Sequence, residues 1–276
     1  MSRRCRDGLN MLTNYHFHSI CSFDGEYPLT RMCRAAVEAG VERLCLTDHC
    51  DLVDEYGKPY DGFSWADVDR QLELARAEFP NLELRRGVEL GQAVLRPDAA
   101  ERILSKPDID FVLGSMHNDP ERGDFYYLHV TDKAQGQALL ETYFQSLLEL
   151  AGTDYFDSLA HLTYPLRYMR DRDGVDVSVM PCSDLVREIL KTLIHRGKAL
   201  ELNTSGYRNP SREPLPNGEI LSWYRELGGE LITIGSDAHA PQYMAQGLEA
   251  GMELLRSTGF RYLTLYQNRK PQQILL

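Results

Sequence analysis

Histidines in this chain stand where strands are expected to end. Short apolar runs rich in Val, Ile, Leu and Tyr alternate with longer amphipathic stretches, the period of repeated βα units. A chain with that alternation folds as a parallel sheet with helical crossovers. The pattern predicts strands over residues 12–17, 43–47, 83–90, 111–115, 156–160, 199–203, 231–235 and 262–266. It predicts helices over 29–39, 65–78, 134–150, 183–196, 219–227 and 241–257. Pro28 and Pro241 suit a first helical turn, and Gly40, Gly197 and Gly259 suit a left-handed helix end. His16, His49, His117, His161 and His239 each fall at or just past the C-terminal end of a predicted strand.

A length of 276 residues suits one α/β barrel, which commonly takes roughly 250. Neither a low-complexity linker nor a sequence repeat divides the chain. Residues 1–11 read as a basic N-terminal extension, with Met11 a second candidate start, and 12–276 as the barrel domain. Hydrophobic residues at 43% are ample for a core. The formal net charge of −11 opposes a phosphate backbone, so nucleic acid is not an expected partner. Small anions are not excluded, because three divalent cations would bring about +6 into one pocket. No apolar run reaches the ~20 residues that span a bilayer, and the N-terminus lacks the apolar stretch of a signal peptide. Cysteines at 5, 21, 33, 45, 50 and 182 form no CxxC pair and read as free thiols. The expectation is a cytoplasmic protein without a membrane partner.

Side chains two apart on a strand share a face, so His16 and His18 converge, as do Asp237 and His239. Glu89 ends the strand in Gly87-Val88-Glu89-Leu90. In a parallel βα barrel the strand C-termini surround one opening, where such residues meet. His16, His18, His49, His117, His161 and His239 are six of the eight histidines, leaving His129 and His195 elsewhere. A lone histidine reads as a satisfied surface or core residue. Six at strand ends with matching carboxylates read as ligands for Zn²⁺, Mn²⁺ or Fe²⁺.

These residues lie in motifs: His16-Phe17-His18-Ser19, Ser22-Phe23-Asp24-Gly25, Thr47-Asp48-His49, Gly87-Val88-Glu89, Gly114-Ser115-Met116-His117, Ala160-His161 and Ser236-Asp237-Ala238-His239. In that order they resemble the polymerase and histidinol phosphatase (PHP) superfamily, from about residue 12 to the C-terminus. Glu201-Leu202-Asn203-Thr204-Ser205-Gly206-Tyr207-Arg208 and the Arg269-Lys270-Pro271 tail look like its histidinol-phosphate phosphatases. The resemblance implies a single distorted TIM-like (β/α)7 barrel carrying three divalent metal ions, Zn, Mn or Fe. It implies that His16, His18, Glu89 and Asp237 hold one ion, that Glu89 bridges to a second completed by His117 and His161, and that Asp24, His49 and His239 hold the third. Asp48 is expected to orient a ligand imidazole rather than to bind metal.

The reaction expected at such a centre is hydrolysis of a small-molecule phosphate monoester, with Glu89, Asp237 and His239 at its heart. A hydroxide bridging two ions would attack phosphorus while the third ion clamps phosphoryl oxygens. Arginine matches a pair of phosphate oxygens; Arg208 is the first candidate and Arg167 the second, each against a surface salt bridge. Asn203 and Ser205 read as turn or cap residues. Asp51, Asp54, Glu55 and Asp61 read as a solvated acidic loop, the alternative being that they face a cationic group on the substrate. The leading expectation is conversion of L-histidinol phosphate to L-histidinol and inorganic phosphate in histidine biosynthesis. The alternatives are a PHP phosphoesterase for another small ester, such as a nucleotide or phosphotyrosine, and a non-catalytic metal-binding barrel. Neither the general acid nor assembly into a homo-oligomer is decided at this level.

Overall fold

The computed structural model describes residues 12–276; the extension expected over 1–11 lies outside the described residues. In chain order the elements are β1 (Leu12–Asn14), α1 (Leu29–Glu38), β2 (Val41–Leu46), β3 (His49–Asp51), α2 (Trp65–Glu78), β4 (Glu83–Gly91), α3 (Pro97–Leu104) and β5 (Phe111–Ser115). A small hairpin of β6 (Asn118–Asp119) and β7 (Gly123–Asp124) follows, then α4 (Lys133–Ala151), β8 (Ser158–Leu159), α5 (Ser183–His195), β9 (Ala199–Asn203), α6 (Gly218–Glu226), β10 (Ile232–Gly235), α7 (Leu248–Ser257), β11 (Tyr262–Gln267) and β12 (Lys270–Leu275).

The seven parallel strands run β1-β2-β4-β5-β8-β9-β10 around a barrel, with β3 also pairing to β4. Few bonds close the ring. Tyr15 N–H donates to Ile234 O at 2.9 Å, and beyond the strand ends Asp237 N–H donates to His16 O at 2.7 Å. The barrel is therefore nearly closed, and β10 and β1 meet at its mouth.

Alternation along each strand sorts the side chains into two layers. Leu44, Leu46, Val88, Leu90, Val112, Leu200, Leu202 and Ile234 pack outward in the main apolar core with the helices. Cys45, Phe111, Leu113, Ala160 and Ala199 form a second cluster inside, with Tyr15, Leu265 and Tyr266. Tyr15 and Tyr266 both sit against Phe111, with ring centroids 5.4 and 5.1 Å away. Full burial of such side chains stabilises by about 1.5–3 kcal/mol each. The floor of the barrel is therefore largely apolar, with the hydroxyls of Ser158 and Thr233 paired at 2.8 Å, and the imidazoles gather at the strand C-termini.

Helix starts follow local chemistry. Ser64, Asp132 and Asn217 cap α2, α4 and α6 by accepting from the N–H of Asp67, Gln135 and Ile220. Pro28 stands at the N-cap of α1, and Gly40, Gly197 and Gly259 follow their helices at positive φ, as expected. Two predicted elements fold differently, and one helix was not predicted. The strand over 262–266 is β11, but it pairs antiparallel with β12 in a separate two-stranded sheet and adds no strand to the parallel ladder. The helix over 241–257 breaks: Pro241–Tyr243 is a 3₁₀ turn, and α7 starts only after Gly247, whose φ of +79° ends any helical path. Helix α3, opened by Pro97 with Asp98 in its first turn, is an element the apolar pattern did not signal. Cys21, Cys33, Cys45, Cys50 and Cys182 are free thiols. Among the described residues no helix is long and apolar enough to cross a membrane.

Candidate metal centre

Glu89 lies inward near the end of β4, fully buried, and its two oxygens face different imidazoles. Oε1 stands 2.9 Å from His161 Nε2 and 3.1 Å from His117 Nε2. Oε2 stands 3.1 Å from His16 Nε2, 3.1 Å from His49 Nδ1 and 3.6 Å from His18 Nε2. Asp237 Oδ1 completes the second group, 3.3 Å from His18 Nε2 and 3.6 Å from His16 Nε2. Farther out, Asp24 Oδ2 lies 3.0 Å from His239 Nε2 and 3.8 Å from His49 Nε2. Each predicted histidine and carboxylate is thus in one cluster, with His16, His18 and Glu89 deepest and Asp24 and His239 nearest the surface.

The donor set fits divalent cations. Donor atoms that share one ion at about 2.0–2.2 Å lie about 3–4 Å apart, and His16, His18 and Glu89 meet that condition at 3.1, 3.1 and 3.6 Å. Two overlapping groups, His49, Glu89 and His117, and His18, His49 and His239, keep their donor atoms within 4.8 Å of one another. The ring tautomers point the same way. His16 Nδ1 stands 2.6 Å from Glu201 Oε1 and His117 Nδ1 stands 3.1 Å from Asp51 Oδ1, so in neutral rings those nitrogens carry the protons. Their Nε2 lone pairs then face carboxylate oxygens, and face the Nε2 of His18 at 3.1 Å and of His161 at 3.4 Å. Lone pair against lone pair is repulsive unless positive charge lies between them. His49 Nδ1 and His239 Nε2, both buried, make no aligned hydrogen bond among the described residues.

Charge in the cluster follows from burial and neighbours. Burial alone would raise Glu89, but His16, His49 and His117 hold it well below the usual carboxylate range. Asp237 is likewise held low against its burial by His16, His18 and Arg167. Burial opposes charge on His16, yet Glu201, Glu89 and Asp237 raise it well above the ordinary imidazole value. His49 rises to about 9 against its burial, chiefly through Glu89. His18 is lowered by burial and by the neighbouring His239 and His49. The pocket attracts positive charge, which protons or metal ions supply.

Asp48 does not touch an imidazole. It accepts from Ser19 Oγ at 2.8 Å and Ser22 Oγ at 2.9 Å, while Ser22 Oγ lies 3.0 Å from His18 Nδ1. Its hold on His18 therefore runs through a serine, because residues 19–22 fold back across it. The acidic loop is corrected at one position: Asp51 is buried against His117, whereas Asp54 accepts from the Tyr56 and Lys58 N–H groups in an exposed turn. Glu201 was not singled out. The available signal was its place on the inward set Ala199, Glu201 and Asn203 of an apolar strand. Asn203 caps the following turn by accepting from Ser205 N–H, as expected. His129 pairs with Asp173 on the surface, and His195 ends α5.

A cleft of about 430 Å³ opens over the cluster, lined by Asp24, His49, His117, His161, Asp237 and His239 together with Phe23, Asp124, Tyr164 and Arg167. Arg167 donates from Nη2 to Ser205 Oγ at 2.8 Å and lies 3.5 Å from Asp237 Oδ2, while its buried Nε has no hydrogen-bond partner among the described residues. Arg208 lies behind the mouth, donating to Ser236 O at 2.7 Å and Asp237 O at 3.0 Å. Asp237 has φ +53°, a backbone conformation that costs free energy for a residue other than glycine. The Arg208 fork braces that turn.

Comparison with known proteins follows the same lines. The PHP domain family model matches residues 14–205. A histidinol-phosphatase of Lactococcus lactis is 27% identical over 264 residues, covering 93% of this chain and 95% of its own. A Clostridium acetobutylicum protein named "Probable histidinol-phosphatase" is 31% identical over 234 residues, covering 83% of this chain and 87% of its own. The crystal structure of the histidinol phosphate phosphatase from Lactococcus lactis, complexed with zinc, L-histidinol and phosphate, superposes with a TM-score of 0.80. The two are 25% identical, over 95% of this chain and 98% of the other.

Proposed function

This chain belongs to the PHP domain family, and from that premise we propose that it hydrolyses L-histidinol phosphate to L-histidinol and inorganic phosphate. It is a phosphoric monoester hydrolase of histidine biosynthesis. The divided carboxylate of Glu89, one oxygen toward His117 and His161 and the other toward His16 and His49, is the observation that carries the reading. A carboxylate divided in this way could serve two cations. We assign His16, His18, Glu89 and Asp237 to one ion, Glu89, His117 and His161 to a second, and Asp24, His49 and His239 to a third. Zinc is the leading candidate, because zinc accompanies L-histidinol and phosphate in the Lactococcus lactis enzyme.

Divalent cations at such a set supply electrophilic charge to a phosphoryl group and make water more acidic. The chain's own groups do the rest. Asp237 presents Oδ1 to His16 and His18 and Oδ2 to Arg167, so it stands between the imidazoles and the guanidinium and orients the attacking water. Arg167, whose side chain lines the cleft and lies 3.5 Å from Asp237 Oδ2, binds and orients the phosphate. Arg208, whose fork already grips two carbonyls, ranks behind it, the reverse of the order read from sequence. His239 and Asp24 stand at the outer side of the cleft, where the ester enters. A volume of about 430 Å³ accommodates a small molecule rather than a polymer, and the charge of −11 accords with that. We take residues 12–276 as one barrel domain acting in the cytoplasm.

The test is phosphate release from a panel of esters by protein loaded with Zn²⁺ or Mn²⁺. Histidinol phosphate should turn over with a kcat on the order of 1–10³ s⁻¹ and exceed aryl phosphates, nucleotides and phosphotyrosine in kcat/KM. Equal turnover on generic aryl phosphates would remove the assignment. Full metal loading without cleavage of any ester would leave a non-catalytic barrel.

A further inference from the structure

We infer that Glu201 is the positioning residue that locks the two halves of the metal centre to one another, an inference resting on the reading that these imidazoles hold cations. Its side chain points inward from β9 and is 1% exposed. One oxygen, Oε1, accepts from His16 Nδ1 at 2.6 Å. The other, Oε2, accepts from the backbone N–H of His161 at 2.8 Å and lies 3.3 Å from Asn203 Nδ2. His16 and His161 face opposite oxygens of Glu89, so one buried carboxylate spans from behind the same division that Glu89 makes in front. Asp51 does less: both its oxygens serve His117 alone.

Three donors converge on Glu201, and only an acceptor-only group satisfies them all. An amide of identical shape can accept with one end and must turn N–H groups toward another donor with its other end. The bond to His16 also fixes a tautomer. With its proton on Nδ1, the ring presents an Nε2 lone pair toward Glu89 and His18. A second observation shows that the approach is built in. A Cβ at Gly235, the β10 residue in register with Asn203, would collide with Cβ of His16 and lie 2.8 Å from Glu201 Oε1. Glycine there lets His16 and Glu201 lie against each other across β10.

The experiment compares wild-type protein with Glu201→Gln, both stripped of metal and titrated with Zn²⁺ against a chelator of known affinity, with no ester present. Bound ions are counted by elemental analysis, and Co²⁺ spectra report ligand geometry. Glu201→Gln should keep its circular dichroism yet bind metal 10- to 100-fold more weakly, the range for loss of an outer partner, with altered Co²⁺ bands. With ester, kcat should fall while KM holds. Glutamine preserves volume, so wild-type metal affinity and spectrum in this variant would overturn the inference by reducing Glu201 to packing. Wild-type protein that takes up no metal would overturn both this inference and the reading of the centre, and is a different result. Should Glu201→Gln fail to fold, Glu201→Asp carries the same titration, because it keeps an acceptor-only charge while drawing the carboxylate back from His16 Nδ1 and the His161 N–H. Unweakened binding there would equally count against the role.

Discussion

Two arginines near one aspartate divide the labour of the site, and their partners tell them apart. Arg167 lines the cleft beside Asp237 and Ser205. Arg208 spends both terminal nitrogens on the carbonyls of Ser236 and Asp237. Arg167→Ala should therefore cost about 1.5–3 kcal/mol in kcat/KM, about 10- to 150-fold, with little change in stability. Arg208→Ala should lower unfolding stability by about 1–3 kcal/mol, because two carbonyls and a strained Asp237 lose their brace. Steady-state kinetics beside urea denaturation separate the two; a large KM change in Arg208→Ala with intact stability would restore it as the main phosphate contact. Individual roles were partly legible. The histidines, Glu89 and Asp237 have distinctive types at or just past strand ends and Asp24 came from the family resemblance, whereas Asp51, Glu201 and the serine relay from Asp48 are ordinary residues made important by what packs against them.

Helices and strands were read well where period and caps agree. The predicted 65–78 is α2 to the residue, and 183–196 differs from α5 by one position. Misreadings came where apolar content had two uses. Residues 262–266 look like another barrel strand, but the chain turns back at Asn268 and Arg269, with φ of +50° and +59°, and pairs with itself. Such a two-residue turn makes a hairpin, not a crossover. The hairpin is pinned to the base of the barrel: Arg269 Nε lies 3.1 Å from both oxygens of buried Asp157, which also accepts from Val112 N–H. Arg269→Ala should destabilise the fold by about 1–3 kcal/mol by leaving that carboxylate without its charged partner, while kcat holds, since this contact is at the end opposite the cleft. Unchanged denaturant midpoints would make the pair a surface ornament.

At the scale of the whole molecule, a largely apolar floor and a polar mouth share one barrel, and the mouth concentrates carboxylates and imidazoles that are costly to bury without positive charge between them. Bound ions should accordingly stabilise the entire fold. Free metal at 100 times its dissociation constant contributes about 2.7 kcal/mol, so chelation should lower Tm by about 5–10 °C in differential scanning calorimetry. A Tm indifferent to chelator would contradict a resident metal centre. The barrel class and the membership of the cluster could be read from the chain alone, because hydrophobic period and residue type are local properties and strand C-termini in a parallel barrel must meet. Which oxygen of Glu89 faces which imidazole, which arginine lines the cleft, which carboxylates stand behind the histidines and where β11 goes were settled only by tertiary packing. Those depend on the near-closure of β10 on β1, on Gly235 admitting His16 beside Glu201, and on a turn after β11. Each brings together side chains whose separation along the chain holds no record of their distance in space.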